Sequence, residues 1–172
     1  VDYYLFNFHR ENSSWKRRQT FVSDVYKDYK LFWKEGEEKY HELYDKYRFY
    51  KRTNEYFNRA VMFVNEDTKE SDFLEFVLRI GNLFIKSNSD SYGRGAFATV
   101  VFTDKDAKDL FEKVRNKPYI VEERLTQHLD MSKWNDSSLN TVRINTYLSD
   151  KGFQVLAPFM RTGRKGSIGD NG

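Results

Sequence analysis

Residues 137–172, SSLNTVRINTYLSDKGFQVLAPFMRTGRKGSIGDNG, decide how this chain is read. Two segments near 140–148 and 153–160 have strand composition and are joined at Asp150-Lys151-Gly152, a turn sequence. Successive strand residues point to opposite faces, so Arg143, Asn145 and Tyr147 are expected on one side. Val142, Ile144 and Thr146 are expected on the other. Arg143 and Arg161 therefore sit on two candidate strands. An Arg among strand residues is costly to bury unless an anion meets it. The guanidinium fork matches phosphate and carboxylate alike, so a ligand carrying either is the natural partner. Beyond the second strand the sequence turns polar and Gly-rich and closes at Asp170-Asn171-Gly172.

Working back from that stretch, strands and helices mix. Tyr119-Ile120-Val121 reads as a strand running into Glu122-Glu123, followed by an irregular or partly helical segment from Arg124 to Asp136. Asp104 is expected to cap a helix to about Lys113, and Ser71-Asp72-Phe73 to begin one that ends at Gly81. Val61–Val64, Leu83–Lys86 and Ala98–Phe102 have strand composition. The first 60 residues read differently. Ser23-Asp24 is expected to cap a helix reaching the low thirties, broken by Gly36. A second helix is expected over about 37–51, with Tyr40, Leu43, Tyr44 and Tyr47 as its stripe, then a short one around Tyr56 and Phe57. A helical first third followed by mixed elements gives an α+β class. The expected division is a helical region over 1–60, followed by mixed strand and helix regions over 61–123 and 124–172.

Composition narrows the function classes. The chain has 172 residues, 39% hydrophobic and 32% charged, with 15 Phe and 12 Tyr against 2 Pro, a globular balance. A net charge of +3 argues against a dedicated nucleic-acid binder. There is no Cys, hence no disulfide framework, thiolate zinc site or Cys nucleophile, and this suits the cytoplasm. His9, His41 and His128 share no ligand spacing, and no Ser-His-acid constellation is recognisable. No apolar run of about 18 residues is present to span a membrane. Val1-Asp2 at one end and a Gly-rich loop at the other lead to the expectation of a chain cut at both ends.

SSLNTVRI, Arg161 and the closing DNG, together with DYYLFNFHR, DKYRFYK, FIKSNSDSYGRGA and YIVEERLTQH in that order, carry a family resemblance. The set resembles the ATP-grasp superfamily, in the branch associated with sugar transfer and surface polysaccharide. That resemblance implies ATP and Mg2+ as cofactors and an ATP-dependent ligase. ATP phosphorylates a carboxylate acceptor, and an amine donor attacks the acyl phosphate. Glycosyltransferase-pathway proteins are implied partners. A kinase-like variant of the same scaffold stands beside the ligase.

The resemblance also implies roles, with 61–123 as the nucleotide-binding lobe and 124–172 as the start of the C-terminal ATP-grasp lobe. Lys86, at the end of an apolar strand, would face the nucleotide phosphates, and Gly93, Arg94 and Gly95 would form the glycine-rich lid. The family's usual Lys-Pro pair is Lys86-Ser87 here. Backbone groups along Glu122-Glu123-Arg124-Leu125 would meet the adenine edge, with Glu122 accepting from the exocyclic amine. Asp130 has the chemistry to accept from ribose hydroxyls, and Lys46, of Asp45-Lys46, would reach the phosphates. Arg143 and Arg161 would stabilise charge on the transferred phosphoryl group or the acceptor. The acidic residues and Asn that hold magnesium are expected beyond Gly172, so no turnover is expected from these residues alone.

Each residue has a plainer reading. The 87–95 segment reads equally as a polar hairpin loop, Glu122 or Glu123 as the partner of a nearby Arg or Lys, and Lys46 as a solvated side chain. Asn140 and Asp170-Asn171 read as turn residues. A rival from another class is a non-catalytic module that binds nucleic acid or a partner protein. Trp15-Lys16-Arg17-Arg18 and Trp33-Lys34 favour it, and the nearby Glu35, Glu37, Glu38 and Glu42 oppose it.

Overall fold

A computed structural model describes residues 14–18, 29, 36–90, 95–155 and 158–167. The chain divides into two compact units, Val1–Phe49 and Tyr50–Gly172. The first contains α1 (Trp15–Arg18), α2 (Glu37–Tyr44) and the start of α3 (Lys46–Thr53). Gly36, at φ 89°, stands immediately before α2. The single helix expected over 37–51 is two. Asp45 adopts extended backbone at ψ 110°, and its carboxylate accepts from the Arg48 backbone N–H at 2.8 Å. A short acidic side chain that satisfies a free N–H of the next turn restarts a helix in place of continuing one. The helix expected to be capped by Ser23-Asp24 lies outside the described residues.

In the second unit, β1 (Val61–Val64), β2 (Asn82–Ser87), β3 (Phe97–Val100) and β4 (Tyr119–Glu123) form an antiparallel sheet in the order β1-β4-β2-β3. Alternation sorts its faces. Val64, Leu83, Ile85 and Val121 enter a core with Phe73 and Val77 of α4 (Glu70–Ile80) and Ala107, Leu110, Phe111 and Val114 of α5 (Asp104–Val114). The α5 set recurs at i, i+3, i+4 and i+7, the spacing of one helix face. Phe84, Lys86 and Glu122 occupy the alternate positions of β2 and β4, and Phe84 lies directly across from Glu122.

The strand and helix expectations between Val61 and Glu123 hold to within a residue or two. Gly81 ends α4 at φ 75°, where its N–H donates to Val77 O. The cap of α5 is Thr103, not Asp104. Thr103 Oγ accepts from the Asp106 N–H, and the Asp106 carboxylate accepts from the Thr103 N–H, a reciprocal capping box.

Beyond Glu123, a short helix α6 (Leu129–Ser132) interrupts an irregular segment. The two long strands expected next are each broken. β5 (Thr141–Arg143) pairs with β8 (Phe159–Arg161), and β6 (Thr146–Ser149) pairs with β7 (Gly152–Val155). Arg143 opposes Phe159 while Thr146 opposes Val155, so the register of the second pair is shifted by one residue against the first.

Candidate functional site

The sheet face opposite α4 and α5 carries charge. Glu122 is buried, with its carboxylate between two cations. Oε1 accepts from Lys86 Nζ at 2.9 Å. Oε2 accepts from Arg59 Nε and lies 3.0 Å from the second guanidinium nitrogen, Nη2. A carboxylate taken out of water needs such partners, because an uncompensated charge there is strongly destabilising. The strand register explains the meeting. Lys86 opposes Ile120, so its side chain rises diagonally beside Glu122 on one face. Arg59 comes from the segment just before β1, whose Val61 pairs with Glu122.

Arg59 is held from behind as well. Its guanidinium lies 4.5 Å from the centroid of the Phe57 ring, and Phe57 packs edge-on against Tyr50 at 5.1 Å and 82°. Glu123 ends β4. Its carboxylate accepts from the Ala60 N–H at 3.3 Å, and its own N–H donates to Ala60 O at 2.9 Å.

A cavity of about 480 Å³ opens over these groups. It is lined by Arg59, Asn82, Phe84, Lys86 and Glu122 through Gln127, and on its far side by Asp136 through Leu139. The far wall is fixed by a polar knot. The Asn140 amide donates to Met131 O at 2.8 Å and Asn135 O at 2.7 Å and accepts from Ser138 Oγ, while its N–H donates to Gln127 Oε1. Asn135 Nδ2 donates to Gly163 O at 2.7 Å, and the Gly166 N–H donates to Ser137 Oγ at 2.8 Å. Asn140 is thus a buried residue that ties the 127–135 segment to the start of β5, in place of the turn residue its sequence suggested.

Four of the residues singled out in sequence, Lys86, Glu122, Glu123 and Leu125, meet at this cavity. The reading of Glu122 as the partner of a Lys and an Arg is also satisfied. Asp130 lies on α6 outside the lining, where its carboxylate accepts from Lys133 Nζ at 2.7 Å. Arg143 and Arg161 are not in the lining either. Arg161 opposes Thr141, two residues from Arg143, so the two Arg share one face of the β5–β8 pair. Gly95 occupies a turn at φ 72°. Gly93, Arg94, Asp170 and Asn171 lie outside the described residues. Lys46 opens α3 in the first unit. Sequence reading missed Arg59, whose only sign was a cation two residues before an apolar strand.

Residues 110–172 match the sugar-transfer associated ATP-grasp family. The ATP-grasp segment includes the Glu122–Leu125 run, Asp130, Arg143 and Arg161, whereas Lys86 and Arg59 lie upstream of it. Comparison with curated proteins and with solved structures returned no match.

The donor set fits the nucleotide that the ATP-grasp segment implies. Phe84, Leu125 and Leu139 offer apolar wall, Lys86, Arg59 and Arg124 offer cations, and the volume falls within the roughly 300–1,000 Å³ of small-molecule sites. Magnesium finds no such set. Among the described residues no three His, Cys, Asp or Glu side chains gather to hold a metal ion. No described helix is long and apolar enough to cross a membrane.

Proposed function

We propose that the cavity between β2, β4 and residues 124–139 binds ATP. In this reading the chain contributes to an ATP-grasp ligase that phosphorylates a carboxylate acceptor and joins it to an amine. The observation that carries the reading is Lys86 and Glu122 in contact on one wall of a cavity whose rim is the ATP-grasp segment. The adenine ring would lie against Phe84 and Leu125, its exocyclic amine donating to the Glu122 or Glu123 region. Lys86 would bind phosphate oxygens, where an ammonium acts as a point charge. Asp130 is proposed at the ribose, Lys46 and the Gly93-Arg94-Gly95 lid at the phosphates, and Arg143 and Arg161 at the acceptor. We further propose that acceptor and amine belong to surface glycan assembly or modification, in the cytoplasm; the sugar-transfer association of the matched family supports the glycan setting.

Calorimetric titration with magnesium-ATP tests the site. Lys86→Ala should weaken ATP by about tenfold to a hundredfold, the range for a lost charge-assisted contact, and change adenosine binding little. Equal ATP affinity in the two proteins would remove the phosphate role from Lys86. A steep fall of all binding with salt, with no preference for adenine, would favour the nucleic-acid module instead.

A further inference from the structure

Glu122 faces two demands that conflict. Its carboxylate is buried and must be compensated, and Lys86 does part of this at 2.9 Å. Once a nucleotide is bound, the same ammonium is wanted by phosphate oxygens. If Lys86 were the sole counter-ion, its departure would strand a buried charge, at a cost large enough to oppose ligand binding. The structure holds a second cation on the other carboxylate oxygen. Arg59 contacts Oε2 through two of its nitrogens, and its guanidinium rests on Phe57, which Tyr50 supports in turn. Lys86 has a long flexible stem and a side chain one-quarter exposed, whereas Arg59 presents a planar fork backed by an aromatic ring.

We propose that Arg59 is a positioning residue that compensates Glu122 through its second oxygen, and so frees Lys86 to leave the carboxylate for the phosphates of a bound nucleotide. The inference rests on the nucleotide reading above and adds to it a residue upstream of the ATP-grasp segment. It predicts an effect confined to ligands with phosphates. The informative quantity is therefore the ratio of ATP to adenosine affinity, measured calorimetrically with magnesium on the whole chain.

Arg59→Ala should lower that ratio by about tenfold or more, because Lys86 becomes the only partner of a buried carboxylate. Adding Glu122→Gln to Arg59→Ala should bring the ratio back toward the unmodified value, since Lys86 then has no charge to hold it. Arg59→Lys keeps the charge without the fork and should stay within about threefold. If Arg59→Ala alone fails to fold, Arg59→Gln, which removes the charge and keeps a polar side chain, takes its place, with the same drop in the ratio expected and an unchanged ratio overturning the proposal.

An unchanged ratio in Arg59→Ala overturns the proposal. So does a loss that Glu122→Gln does not relieve, which would mean that Arg59 touches phosphate itself. An unmodified chain that binds neither ATP nor adenosine overturns the nucleotide reading, and this inference with it. ATP binding with no dependence of the ratio on Arg59 removes only the positioning role.

Discussion

Among the described residues, the buried side chains between Val61 and Glu123 are apolar apart from Asn88 and Glu122, whereas from Arg124 to Ser167 the buried residues are Ser138 and Asn140. The same unit is thus held in two ways. The sheet and its two helices exclude water from Phe73, Phe111, Leu83 and Ile85, a non-directional force proportional to area. The segment beyond β4 is fixed by directional bonds from Asn135, Ser137, Ser138 and Asn140, while Val142, Leu148, Phe153 and Val155 stay exposed. The cavity lies where the two meet, with Lys86 and Glu122 on the apolar-cored side and Ser137 to Leu139 on the hydrogen-bonded side. A precise charged wall is thereby set on a stiff sheet, and the wall facing it can yield without unfolding the core.

The strongest way to break this contrast is in the sheet. Phe73 is fully buried and packs on Phe111 with ring centroids 5.2 Å apart and planes tilted by 46°, so Phe73→Ala should cost about 3–5 kcal/mol and unfold the whole unit in denaturant titration. A loss below roughly 1 kcal/mol would deny that this cluster is the core. Asn140→Ala should act differently. It removes the amide donor from the Met131 and Asn135 carbonyls, at about 1–3 kcal/mol. Amide exchange should then quicken over 135–140 and 163–166 while β2 and β4 keep their protection. Uniform loss of protection would mean that the knot and the sheet are a single cooperative structure.

Smaller effects sharpen the sheet side. Thr103→Ala removes one half of the capping box and should cost about 1 kcal/mol. Asp106 offers the matching pH test. Its bond with the Thr103 side chain, and then the Phe102 and Thr103 N–H groups, hold its carboxyl below the ordinary value. A folded value lowered in this way contributes stability above the unfolded value, which is lost as pH falls through the folded one. Asp106→Asn should therefore flatten the acid limb of a stability–pH curve below about pH 4 and leave it unchanged in shape at neutral pH. Smallest of all, Lys105→Ala breaks an exposed pair with Asp109 at 3.2 Å and should shift stability by less than about 1 kcal/mol.

What the sequence made legible follows the same division. Apolar runs bounded by Gly or capping residues, such as Val61–Val64 and the segment from Ser71 to Gly81, are local signals, and they placed the strands and helices of the sheet. The α+β class came with them, while the contact of Lys86 with Glu122 needed the pairing of β2 with β4. Residues 141–161 gave composition but not pairing, because a one-residue register shift depends on which residues meet across the two arms. Arg59 stayed hidden for a related reason. It reaches Glu122, 63 positions further along the chain, only through the pairing of β1 with β4, and no local pattern announces that neighbour. Asp45 showed its charge but not its role, since an acidic residue inside an amphipathic run reads as exposed surface until its carboxylate is seen on the Arg48 N–H.

The most direct test of the account is amide chemical-shift mapping of the chain during titration with magnesium-ATP. The account predicts shifts concentrated at Phe84–Lys86 and at Glu122–Gln127, with those at Lys86 absent when adenosine replaces ATP. Shifts confined to other parts of the chain, or none at saturating nucleotide, would contradict a nucleotide site at this cavity.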